Sequence, residues 1–209
     1  QTAKKIKRRN IFSNLIDGKI SEFKGYEVDF ERINKQNYFL GYWKNINYLD
    51  KDFIKSSLLN NSLIKEGFEK NIQDGSTMLH VRREDYVTNG WDLDVDFYER
   101  SLSLIKQKIG EFNFDVFTDD YEFIKSHKIF NNARDVFSKN PNSEVDDTIE
   151  TFSRMLNYQN FIVGNSSFSF WAAYLNSTDN SIVTVSDPWF KNHKHPTLKK
   201  EDWYSIENL

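Results

Sequence analysis

Two adjacent arginines close an apolar run in the segment Thr77-Met78-Leu79-His80-Val81-Arg82-Arg83-Glu84-Asp85-Tyr86. Two guanidinium groups are costly to place side by side unless an anion lies between them. Arginine suits phosphate in particular, because its planar fork donates two parallel hydrogen bonds. His80 and Arg82 are two residues apart, so on extended backbone they share one face, while Leu79 and Val81 turn the other way into a core. A structural ion pair with Glu84 or Asp85 is the alternative use of these arginines. Two further clusters carry chemistry of the same kind. Thr118-Asp119-Asp120 follows a second apolar run, and an acid there either caps the next helix or accepts hydrogen bonds from a sugar hydroxyl or a base edge. Gly164-Asn165-Ser166-Ser167-Phe168-Ser169 follows a third run. One serine suffices for a helix cap. Three serines and an asparagine exceed that need, and free N–H groups at a helix start suit a phosphate.

Two other patterns resemble metal sites without completing them. Asp92-Leu93-Asp94-Val95-Asp96 has the acidic alternation of a calcium loop, but Phe97 and Ser103 stand where such a loop needs Gly and Glu. Acids at a helix start are favoured by the dipole in any case. His193 and His195 have no carboxylate or thiolate partner in the surrounding sequence. No metal is expected.

Residues placed this way need a scaffold that gathers strand ends. From Ser76 onward the sequence alternates strand and helix. Strands are expected at 77–81, 114–117, 135–137, 161–163 and 182–185. Helices are expected at 96–109, 121–127, 147–157 (Ile149, Phe152, Met155 and Leu156 inward) and 168–175. Such alternation specifies a parallel sheet covered on both faces, an α/β, Rossmann-like fold. Ligands bind there beyond the carboxyl ends of the strands, where the three clusters lie. Residues 1–72 read instead as mainly helical, with helical spacing through Phe53, Ile54, Leu58, Leu63, Ile64 and Phe68. The aromatic group Tyr38-Phe39-Leu40-Gly41-Tyr42-Trp43 interrupts them as a buried strand or turn.

Composition narrows the function classes. The 209 residues are 16% aromatic, which argues against disorder. A net charge of −3 gives no nucleic-acid footprint. The basic run Lys4, Lys5, Lys7, Arg8, Arg9 is a solvated helix face, or else contacts an anionic membrane surface as a peripheral association. The chain has no cysteine, which excludes disulfides and fits a reducing compartment. No apolar run is long enough to span a bilayer. A cytoplasmic or inner-membrane-associated bacterial protein is the expectation.

Taken together, the three clusters resemble one family. His80 to Tyr86 is similar to the His-x-Arg-Arg-Gly-Asp-Tyr motif of the α-1,2-fucosyltransferases, glycosyltransferase family 11. Phe117-Thr118-Asp119-Asp120 resembles its Phe-Ser-Asp-Asp segment, and Asn165 to Ala173 its Asn-Ser-Ser-Phe-Ser-Trp-Trp-Ala-Ala. Glu84 replaces a Gly, and Phe170 replaces the first Trp. The family's Gly-Gly-Leu-Gly-Asn-Gln segment is absent, so residues 1–72 are expected to be the rear of its acceptor-side domain and 73–209 the donor-binding domain of a GT-B architecture. The resemblance implies transfer of L-fucose from GDP-β-L-fucose, with inversion and without a metal, to O2 of a terminal galactoside. GDP-fucose is then a substrate, no cofactor is needed, and a galactose-terminated cell-surface glycan is the partner. By the same resemblance Arg82 holds the β-phosphate and His80 and Asp119 help place the nucleotide. Ser166, Ser167 and Phe168 line the donor cleft, with Arg83 and Asn165 in the same motifs. Glu84 or Asp85 is available as the catalytic base, with a residue of the absent Gly-rich segment as the equal alternative. A non-catalytic nucleotide- or sugar-binding fragment is the alternative, as is fucosyl transfer with another linkage.

Overall fold

The computed structural model describes residues 46–70, 75–138, 147–191 and 197–208. Gln1–Tyr48 and Leu49–Leu209 form separate compact units. Of the first, a 3-10 turn at Ile46–Tyr48 is described. The basic run at 4–9, the aromatic group at 38–43 and both histidines of 193–195 lie outside the described residues.

The second unit is built on a six-stranded sheet. Its strands are β1 (Thr77–Val81), β2 (Phe114–Thr118), β3 (Val136–Ser138), β4 (Asn160–Gly164), β5 (Val183–Asp187) and β6 (Tyr204–Glu207). They lie in the order β3-β2-β1-β4-β5-β6, and every neighbouring pair is parallel. The chain runs outward from β1 to β3, then returns to place β4 on the other side of β1. That reversal is the switch point at which open α/β sheets bind ligands.

The strands are apolar because both faces are covered. Leu79 and Val81 of β1 join Phe114 and Val116 of β2 and Ile162 of β4 on one face. Phe97, Tyr98 and Ile105 of α4 (Val95–Ile109) and Ile124 of α5 (Tyr121–Ser126) cover them. Met78 and His80 alternate onto the opposite face. There α6 (Thr148–Met155) and α7 (Ser167–Asn176) supply Met155 and Phe170, both almost fully buried.

Helix starts are specified locally. Asp120 accepts from the Phe123 N–H at 2.9 Å to cap α5, and Ser166 accepts from Phe168 N–H at 3.3 Å to cap α7. The helical character expected near Phe53 and Leu63 is present as α1 (Lys51–Leu58) and α2 (Ser62–Glu69), capped by Asp50 and Asn61. These two helices belong to the sheet's unit, which begins at Leu49 rather than at the change of pattern near residue 72. α2 lies tightly on α6. Ser153 Oγ donates to the Leu63 carbonyl at 2.6 Å, and a Cβ on Gly67 would come within 2.6 Å of the Ser153 carbonyl oxygen. Glycine is what permits that approach.

Three details differ from the sequence expectations. A short helix, α3 (Glu84–Asn89), follows β1 directly. Its signals are ordinary: Glu84 and Asp85 in the first turn and Gly90, at φ 66°, as a left-handed cap. The sheet ends on β6, not on the strand at 182–185. Ile149, expected to face inward, is 47% exposed, because only the Ser153–Met155 side of α6 is buried.

Candidate active site

The carboxyl ends of β1, β2 and β3 and the start of α7 enclose a cleft of about 790 Å³. His80, Arg82, Asp119, Ser166, Ser167 and Phe168 all border it, as do Glu84 and Asp85. Residues from three distant segments thus converge, as the strand-end argument requires.

Arg82 is the central cation. Its Nη1 meets Asp119 Oδ2 at 2.6 Å and its Nη2 donates to Asp85 Oδ1 at 2.6 Å, with Glu84 at 3.6 Å. Burial pulls its pKa down, but Asp119, Asp85 and Glu84 more than offset this, so the group is held more firmly charged than usual. Both readings of the arginine pair therefore have a physical basis, and the two residues divide them. Arg83 is turned away from the cleft. Its Nε donates to Asp120 at 3.1 Å, its Nη1 to Asp92 at 3.0 Å, and its guanidinium lies 3.9 Å over the Phe123 ring. It is a structural strut and does not line the cleft.

The acids after β2 also divide their work. Asp120 caps α5 and holds Arg83. Asp119 accepts the Arg83 backbone N–H through Oδ1 at 2.7 Å and faces Arg82 with Oδ2, off the line of a hydrogen bond. Its side chain is 9% exposed, so it acts as a brace that sets the arginine at the mouth of β1.

At the end of β4, Gly164 at φ 65° turns the chain. Asn165 is 2% exposed and does not reach the cleft. Its Nδ2 donates to the Trp91 carbonyl at 2.6 Å, and its own carbonyl accepts from Tyr86 Oη at 3.4 Å. It ties β4 to α3, the helix that carries Glu84 and Asp85. Ser166 caps the helix, Ser169 is buried beneath it, and Ser167 is left exposed on the cleft wall beside half-buried Phe168. His80 is buried beside Phe168, with ring centroids 6.2 Å apart. Burial and the nearby Arg82 lower its pKa to about 3, so it is neutral at ordinary pH.

The far end of the cleft carries no local signature in the sequence. Phe137 stacks on Phe117 at 4.8 Å, and Arg154 of α6 lies 5.3 Å from the Phe137 ring while pairing with Glu150 at 2.7 Å. A Glu and an Arg four apart on a helix read as an ordinary surface pair, and only the tertiary fold brings them to the site. The acidic run at 92–96 has a structural account as well: Asp92 pairs with Arg83 and Asp94 with Lys191. Among the described residues no three His, Asp or Glu side chains group to hold a metal, and no helix is long and apolar enough to cross a membrane.

The family model described as Glycosyl transferase family 11 matches residues 1–207. An alpha-1,2-colitosyltransferase of Escherichia coli is 28% identical over 94% of this chain and 76% of its own length. The O-antigen biosynthesis glycosyltransferase WbnK of Escherichia coli is 31% identical over 63% of this chain and 44% of its own length.

Proposed function

The chain belongs to glycosyltransferase family 11, and on that premise we propose that it transfers L-fucose from GDP-β-L-fucose to O2 of a terminal galactoside on a cell-surface glycan. The observation that carries this reading is the convergence of Arg82, Asp119 and the Ser166–Phe168 turn on one cleft at the switch point of the sheet.

The cleft is not a general anion trap. Arg82 and Arg154 line it alongside Glu84, Asp85, Asp119, Asp147 and Glu150. A diphosphate must therefore bind locally. The side chains of Glu84 and Asp85 are 50% and 56% exposed, and ion pairs so exposed contribute at most about 1 kcal/mol. Phosphate oxygens displace them at small cost while buried Asp119 keeps Arg82 in place. The start of α7 adds N–H groups and the positive end of a helix dipole.

In the reaction, O2 of the acceptor bonds to C1 of fucose from the face opposite GDP, and the C1–O bond to the β-phosphate breaks. The electron pair goes to the phosphate oxygen, and the hydroxyl proton goes to a base. Arg82 and the α7 start take up the charge that grows on the phosphate, a preorganised electrostatic role that needs no metal. Glu84 and Asp85 both line the cleft as candidates for the base. We assign the unit Leu49–Leu209 to the donor-binding half of a GT-B enzyme and Gln1–Tyr48 to the rear of its acceptor half.

The relative named for colitose transfer favours a second reading, in which the same site takes a nucleotide-linked colitose. Incubation with GDP-fucose, GDP-colitose and a panel of β-galactosides tests both. An α-1,2-linked fucosyl product is expected. Transfer of colitose alone would favour the second reading, and nucleotide binding without any transfer would identify a binding module.

A further inference from the structure

We propose that Ser169 holds His80 with its proton on Nδ1, so that the Nε2 lone pair faces the cleft and accepts a hydrogen bond from a hydroxyl of the ligand rather than serving its phosphates. The identity of the ligand rests on the donor-site reading above, but the state of the ring does not.

The single hydroxyl hydrogen of Ser169 decides the tautomer. Ser169 Oγ lies 2.9 Å from His80 Nδ1, 2.9 Å from the Val163 carbonyl oxygen and 3.2 Å from the Ser166 carbonyl oxygen. A carbonyl only accepts, and a hydroxyl has one hydrogen to give. That hydrogen goes to a carbonyl. What Ser169 offers His80 is a lone pair, so Nδ1 must be the donor. A neutral imidazole with its hydrogen on Nδ1 has a bare Nε2. The ring is neutral across the working range, since burial and Arg82 lower its pKa to about 3.

His80 is 8% exposed and borders the cleft. Among the described residues the bond to Ser169 is the only hydrogen bond of its ring. Nδ1 is tied back to α7, which leaves Nε2 as the nitrogen open to the cleft. A buried acceptor of this kind calls for a partner. The oxygens of an ionised diphosphate carry no hydrogen and would meet Nε2 lone pair to lone pair. The ribose and hexose hydroxyls of a nucleotide sugar do carry one. Arg82, two residues along the same face, takes the phosphates, and His80 takes a hydroxyl.

Long-range proton–nitrogen NMR on the full chain with ¹⁵N-labelled histidine tests the ring directly, with the His80 signals identified by their loss in His80→Phe. At pH 7 the account expects a protonated Nδ1 and an unprotonated Nε2. Ser169→Ala should move the hydrogen toward Nε2, a change that a merely packing role for Ser169 would not produce. A protonated Nε2 in the wild type would overturn the proposal.

Titrations with GDP, 2′-deoxy-GDP, 3′-deoxy-GDP, GDP-fucose and GDP-fucose analogues lacking one hexose hydroxyl test the ligand half. One deoxy compound should bind roughly tenfold more weakly than its parent, and whether it is a ribose or a hexose analogue identifies the hydroxyl. His80→Phe should bind that pair equally, and His80→Gln, which keeps an oxygen acceptor near the Nε2 position, should recover part of the preference. Discrimination that survives in His80→Phe, or is absent throughout the series, would overturn the hydroxyl assignment. If no nucleotide binds, the donor-site reading and the ligand half fall together, while the nitrogen shifts still decide the state of the ring.

Discussion

Replacing Arg82 with alanine separates a ligand role from a structural one, because the structure sets both magnitudes. Its pairs with Glu84 and Asp85 join half-exposed side chains, and each contributes a few tenths of a kcal/mol or less after solvent screening. The pair with Asp119 is stronger, but the arginine head is itself about a third exposed, and Asp119 retains the Arg83 N–H at 2.7 Å. The expected stability loss is therefore about 1 kcal/mol, or roughly 2–4 °C in Tm for a chain of this size. The binding loss should be larger. A hydrogen bond to a charged group contributes about 1.5–3 kcal/mol, so GDP affinity should fall by about one to two decades. Turnover should fall further, since charge on the phosphate grows as the sugar leaves. Arg82→Lys restores the charge without the two-pronged geometry and should recover only part of the activity. Calorimetric GDP titration beside thermal melting reads both quantities. An Arg82→Ala protein that melts several degrees lower yet binds GDP normally would show that this arginine only supports the fold, and the donor-site reasoning would fail.

Arg83→Ala should behave in the opposite way. It removes the partner of Asp92 and Asp120 and should lower the melting temperature more than Arg82→Ala does, with GDP affinity within about threefold of wild type, a shift of roughly 0.7 kcal/mol. Asp115, 1% exposed, accepts from Arg134, from the Asp135 N–H at 3.1 Å and from Tyr158 Oη at 2.7 Å, and it does not line the cleft. Asp115→Ala should cost roughly 3–5 kcal/mol in urea unfolding while leaving the residual folded protein able to bind GDP. His80 has a folded pKa of about 3 against 6.5 for the free group. The unfolded chain therefore takes up its proton first as pH falls, and the stability that neutral His80 permits is fully present above 6.5 and lost on descending toward 3. Urea midpoints of His80→Gln should decline less steeply with acid over that window than those of the wild type.

The parts of the fold that could be read from sequence are those with a strong local signature. The apolar runs at Thr77–Val81, Phe114–Phe117 and Phe161–Val163 are strands buried on both faces, and their alternation with helices implies the parallel sheet. Period-two alternation also separated His80 and Arg82 from Leu79 and Val81. The strand-end rule then found the cleft without coordinates. What escaped depends on tertiary partners. Asn165 looks like a ligand residue in its motif, but its amide is spent on the Trp91 carbonyl, 74 residues away. Asp119 and Asp120 are equivalent as a dipeptide, and only the position of Arg82 and of the α5 start distinguishes brace from cap. Arg154 carries no local mark of a site residue. β6 is short and alternates partly buried with exposed residues at the sheet edge, so it lacks the continuous apolar run that revealed the central strands.

The central claim is that a diphosphate sits between Arg82 and the start of α7. A crystal structure of the full chain with GDP bound measures this directly. The account predicts the β-phosphate within hydrogen-bonding distance of the Arg82 guanidinium and of the N–H groups or Ser167 hydroxyl at the α7 start, with Asp119 still against Arg82 and with Glu84 and Asp85 released. GDP bound with its phosphates at the Arg154 end of the cleft, or outside it while Arg82 keeps all three carboxylates, would contradict the account.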